Sequence, residues 1–123
     1  MPLATFQHSR VAFDRAAIMR RAHTEGRFAL RMCRTVAARR QQLSHWLRKA
    51  WQAAKAEAAD LLRRAERDAA VRRDLAARAA AAVALAASYG SAEAIRQEIE
   101  AENHRQHFNA ARVADLRDAL ATL

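Results

Sequence analysis

Glycine, proline and cysteine are the scarce residues of this chain: two glycines, one proline and one cysteine among 123 residues. Tight turns that need a positive φ have few ready positions, while the abundant Ala, Arg, Leu and Glu are strong helix formers. An all-α protein is expected, without strands. A lone cysteine cannot close an internal disulfide, which excludes a stapled scaffold and makes the cytoplasm the expected compartment. Long apolar runs are missing too. The N-terminus MPLATFQHSR has no stretch of signal-peptide length, and AAAAVALAA at 79–87 is about half of a membrane span, with Arg72, Arg73, Asp74 and Arg78 interrupting any longer reading. No membrane partner is expected.

Signatures of catalysis are equally lacking. There is no glycine-rich phosphate loop, no pair of carboxylates on one face and no serine with a placed base, so neither an enzyme nor a cofactor is expected. Glu100, His104 and His107 have the spacing E-x3-H-x2-H, which on a continuous helix would bring three metal-ligand types near one face. With no second ligand cluster they read as a solvated helix end, and no metal is expected. Cys33 falls in an apolar stripe, where a thiol is structural rather than nucleophilic.

What is present is helix and positive charge. The length suits one domain spanning residues 1–123 that buries roughly two thirds of its unfolded surface, as one core or as a dimer sharing one. The net charge is +9, and its location is informative: residues 1–58 hold 12 Lys or Arg against 3 Asp or Glu, whereas residues 59–123 hold 10 against 10. A basic N-terminal half faces phosphates or acidic protein, and a charge-balanced C-terminal half reads as scaffold.

Helix signals divide the chain into roughly five segments. Ser9 or Asp14 can cap a first helix through RAAIMRRAH, and Gly26 can stop it. A second segment, Arg27 to Arg40, is expected to turn Phe28, Ala29, Met32, Cys33 and Val36 to the core and Arg27, Arg31 and Arg34 to solvent. The stretch LSHWLRKAWQAAK carries both tryptophans. Leu43, Trp46, Leu47, Ala50, Trp51, Ala54 and Ala58 form one apolar stripe, which makes Trp46 and Trp51 core or interface anchors. His45, Arg48, Lys49, Gln52 and Lys55 are expected on the other side.

From Ser44 the helix can run unbroken to Ala87, with acid-before-base pairs Asp60–Arg64, Asp68–Arg72 and Asp74–Arg78 on its wet face. Its Ala-rich stripe from Leu61 to Ala86 suits packing within the chain or against a second copy. SYGS at 88–91 marks a turn-back, with Gly90 ending one helix and Ser91 capping the next. Val113, Leu116, Leu120 and Leu123 form a last stripe. The spacing of Ala22, Gly26 and Met32 is that of a helix-turn-helix, although Arg21 and Glu25 occupy its apolar places; in that arrangement Arg27 to Arg40 would be the reading helix.

The pieces IMRRAH at 18–23 and LRKAWQAAKAEA at 47–58, separated by a basic amphipathic stretch, resemble a segment that recurs in small helical proteins of phages, plasmids and other mobile elements. The resemblance covers the first half of the chain. It implies a mobile-element accessory protein, either a DNA-binding regulator or an inhibitor of host defence such as an anti-CRISPR protein, and carries no catalytic residue.

The expectation is thus a helical bundle of about four or five helices with one long Ala-rich central helix, monomeric or dimeric. Its basic N-terminal face, Arg27, Arg31, Arg34, Arg39, Arg40, Arg48, Lys49 and Lys55, would bind DNA, RNA or a nucleoprotein complex without catalysis. The alternative is a protein-binding inhibitor that docks on a host protein or nucleoprotein complex through the same basic face, or through an apolar stripe with Trp46 or Trp51 anchored in a partner groove.

Overall fold

A computed structural model describes all 123 residues. The order of elements is β1 (Ala4–Gln7), β2 (Arg10–Phe13), α1 (Arg15–Glu25), α2 (Arg27–Met32), α3 (Val36–Tyr89), α4 (Ala92–Asn103) and α5 (Ala110–Ala121). Five helices, one of them very long, make this an all-α protein with one small sheet. The chain packs into two compact units, Met1–Asp68 and Ala69–Leu123. Each unit has its own apolar cluster where one shared core was expected.

In the first unit, β1 and β2 form an antiparallel hairpin with Gln7 opposite Arg10 and Ala4 opposite Phe13. This corrects the expectation of no strands. The two-residue turn His8–Ser9 takes positive φ at both positions, 48° and 64°. That is the turn whose twist matches the flanking strands, and it is built here without glycine or asparagine. A lone hairpin is marginal in water, and packing holds this one. Leu3 is buried in the first cluster, and its N–H donates to both carboxylate oxygens of Glu57 on α3 (3.1 and 3.3 Å). Phe13 packs on Trp51, ring centroids 5.5 Å apart.

Asp14 caps α1 by accepting from the N–H of Ala17 (2.9 Å). The helix turns Ala17, Ile18 and Ala22 into the cluster, against Ala50 and Ala54 of α3. Buried alanines on both helices permit a close approach. Trp46, Leu47 and Trp51 pack around the same cluster. Gly26 ends α1, but with φ −85° rather than in the left-handed region. Its role is spatial, because a Cβ at that position would lie 2.5 Å from Cδ1 of Trp46.

The expected helix from Arg27 to Arg40 is broken. Helix α2 ends at Met32, and Thr35 starts α3 anew by accepting from the N–H of Ala38 (3.1 Å). The face assignment holds for Arg27, Arg31 and Arg34, which are exposed, and in part for the half-buried Ala29 and Cys33, but not for the large apolar residues. Leu30 is the buried residue of α2, while Phe28, Met32 and Val36 are 78%, 68% and 69% exposed. Under two turns long, α2 can bury one side only, and at about 100° per residue Phe28 and Met32 lie opposite Leu30. The helix-turn-helix expectation fails with it, since a single residue separates α1 from α2 and no long reading helix follows.

In the second unit, Gly90 (φ 76°) ends α3 and Ser91 caps α4 by accepting from the N–H of Ala94 (3.2 Å). Ala86, Ile95, Leu116 and Ala119 form the cluster, with Leu85, Tyr89, Ile99 and Leu120 against it. Leu123, expected on that stripe, is 65% exposed. Residues 71–81 of α3 are exposed throughout. The expected acid-before-base pairs do not close: Asp60 pairs with Arg63, Arg78 pairs with Asp118 of α5 (2.6 Å), and neither Asp68 nor Asp74 takes part in an ion pair.

Candidate nucleic-acid interface

Between Glu25 and Glu57 the sequence contains no acidic residue, yet it holds all eight of the cations singled out above. The fold then uses up the carboxylates at the borders of that stretch. Glu25 pairs with Arg21 (2.7 Å), Glu57 holds the N–H of Leu3, and Asp14 caps α1. Arg27, Arg31, Arg34, Arg39, Arg40, Arg48, Lys49 and Lys55 are all exposed, and none of them lies within an ion pair. The first unit carries 15 Lys or Arg against 6 Asp or Glu, and the second 7 against 7, so the whole excess charge belongs to the first.

In the second unit four of the seven arginines are paired, while Arg72, Arg73 and Arg117 are not. There Arg78, Arg96, Arg105 and Arg112 each meet a carboxylate, and Glu102 sits fully buried between two of them, with Arg105 at 2.7 Å and Arg112 at 3.8 Å. The Arg105 guanidinium approaches Glu102 Oε2 off the hydrogen-bonding direction, so charge rather than a directed bond holds that oxygen. Arg112 also donates to the Tyr89 hydroxyl (3.1 Å), which ties the start of α5 to the end of α3. These arginines are structural. Glu102 was not singled out from the sequence, and its clue is its spacing of three from Arg105.

The eight cations do not share one face. Arg27 and Arg31 stand one turn apart on α2, and Arg34 lies in the link to α3. Arg48 and Lys55, seven residues apart, share one row of α3, whereas Arg39 and Arg40 fall in line with Leu43 and Leu47 on the side that becomes apolar further along. Both arginines are exposed. Nor are rings and charges fully separated, as the stripe had implied. Lys49 Nζ sits 4.8 Å from the centroid of Trp46, and His45 meets the same ring edge-on at 5.4 Å. Both are within reach because residues three apart, or adjacent at the rim of a stripe, flank a large ring. Trp46 and Trp51 are partly buried against the cluster, and the indole N–H of Trp46 is buried without an acceptor.

Cys33 is half-buried and donates to the carbonyl of Ala29 (3.2 Å). Helix α4 ends at Asn103, so Glu100, His104 and His107 do not share a helical face, and no group of three or more His, Cys, Asp or Glu is gathered in metal-binding range. No single helix is long and apolar enough to cross a membrane. Comparison with protein families, curated proteins and solved structures finds no match for the chain.

Proposed function

We propose that this chain binds nucleic acid through the cations of residues 27–55, without catalysis, as a cytoplasmic accessory protein of a mobile element. The observation that carries this reading is eight exposed, unpaired cations in a stretch without a carboxylate. Outside this stretch half of the arginines, seven of fourteen, meet a carboxylate, and within it none of the eight cations does. Such a surface gains by taking up a polyanion and releasing its counterions. The mobile-element setting is supported by the resemblance of the N-terminal half alone.

The test is binding of labelled duplex DNA, single-stranded DNA and RNA across a salt series. Each cation that meets a phosphate on duplex DNA adds about 0.9 to the slope of log K against log salt, so eight set a ceiling of about 7. Reversal of Arg27, Arg31, Arg34 and Arg48 to Glu should abolish binding with helicity intact. Lys49 is spared because it touches Trp46. If the wild type binds nothing at low salt, the reading is wrong. A host-defence protein with an acidic surface then becomes the target to seek. Light scattering on the same sample reports whether a second copy covers Val71, Leu75 and Val83, which are 56%, 61% and 58% exposed on α3.

A further inference from the structure

Helix α2 is built inside out for a helix on a protein surface. Leu30 anchors it, Gly26 seats its start against Trp46, and diametrically outward stand Phe28 and Met32. Phe28, at 78% exposed, is the most exposed aromatic side chain of the protein. Single exposed apolar residues need no explanation. Here, though, Phe28, Met32 and Val36 follow one another within nine residues, amid Arg27, Arg31, Arg34, Arg39 and Arg40 and with no carboxylate among them.

We propose that α2 is a base-stacking platform, and that the preferred ligand of the first unit is single-stranded nucleic acid. This deepens the reading above and rests on it. An occupant of this face has to satisfy two chemistries at once: dense negative charge for the unpaired guanidinium groups, and flat apolar surface for the ring and the thioether. A duplex offers the charge and hides its bases. An unpaired strand offers both, and aromatic residues on a basic surface are how sequence-tolerant single-strand binding is built. Phe28 takes a base on its face and Met32 fills in beside it. Arg27 and Arg31, one helical turn apart in the adjacent row, reach phosphates on either side of that base.

The experiment compares wild type, Phe28→Ala and Phe28→Trp on a labelled single-stranded oligothymidylate, the matching oligouridylate and a duplex of the same length. Phe28→Ala should weaken single-strand binding by about fivefold to a hundredfold. It should leave duplex binding and both salt slopes unchanged, and Phe28→Trp should restore wild-type affinity. Equal loss on all three ligands, no loss on any, or failure of Trp to rescue would overturn the stacking proposal while the nucleic-acid reading stands. No binding of wild type to any ligand would remove both. A fall in molar mass on Phe28→Ala would show that the ring covers a second copy instead, and would equally overturn it. Because Phe28 is so exposed, its truncation leaves the fold intact, which circular dichroism checks. The two homopolymers separate DNA from RNA.

Discussion

Gly26→Ala is the substitution whose sign the structure decides against the usual rule. At φ −85° and ψ 0° the position is open to any residue. Replacing glycine by alanine at a compatible site ordinarily stabilises by about 0.5–1 kcal/mol, through the entropy of the unfolded chain. The added Cβ, however, would lie 2.5 Å from Cδ1 and 2.6 Å from Cγ of Trp46, and 2.9 Å from the carbonyl oxygen of Ala22. The close atoms are the inner edge of an indole ring and a backbone carbonyl, neither of them the far end of a flexible side chain, so the methyl fits only if one of them shifts. Overpacking costs about 1–3 kcal/mol, and contacts this short call for the upper part of that range. The net expectation is a loss of about 2 kcal/mol. For a unit of 68 residues this lowers the melting temperature by about 8–16 °C. Thermal unfolding followed by circular dichroism measures it, and the near-ultraviolet signal should change as the indole is displaced. In a Trp46→Ala background the same substitution should become neutral or stabilising. A rise in melting temperature for Gly26→Ala alone would refute the packing argument.

The remaining expectations concern the hairpin and the second unit. Ser9→Gly relieves a left-handed conformation at φ 64° and should stabilise the first unit by about 0.5–1 kcal/mol, read as a higher urea midpoint. An unchanged midpoint would mean that the turn carries no strain. Glu102→Ala removes the buried carboxylate between Arg105 and Arg112. Those partners are 52% and 45% exposed and can turn to water, so the loss should be about 1–3 kcal/mol, below that of a fully buried pair. Glu102→Gln keeps the shape but removes the charge that holds Oε2, so it should lose nearly as much as Ala, and a Gln variant close to wild type in chemical denaturation would show that shape matters there instead.

Local signals in the sequence anticipated some helix ends and missed others: α2 stops at Met32, and α3 begins at Val36 rather than at Ser44, which lies inside it. Asp14, Gly26, Gly90 and Ser91 stop or cap helices where their chemistry places them, and the run from Ser44 to Ala87 is indeed one helix. The hairpin was illegible because its turn uses His8 and Ser9, side chains that rarely adopt positive φ, and four residues per strand show little alternation. The exposure of Phe28, Met32 and Val36 had a different cause. Phe28, Met32 and Val36 share one side only if the helix continues through Cys33, Arg34 and Thr35. Once it breaks there, the single burial that six residues allow goes to Leu30. At the candidate interface, the position of each cation in the chain is plain from the sequence, but whether it is paired is not. Whether an arginine is paired depends on which carboxylates the fold consumes, and Glu57 spent on the N–H of Leu3 is a tertiary fact.

The acid-free stretch would also determine how a partner bound there could be let go. Between Glu25 and Glu57 there is no carboxylate to protonate, and guanidinium groups keep their charge throughout the biological range. The stretch has one histidine, His45, and one cysteine, Cys33, against eight arginines and lysines. A proton is therefore a poor trigger for this surface, whose charge is close to a constant of the molecule. Turnover of the complex would have to be driven from outside: by a competing polyanion, by rising ionic strength, or by enzymes that degrade the strand or cut after its many arginines.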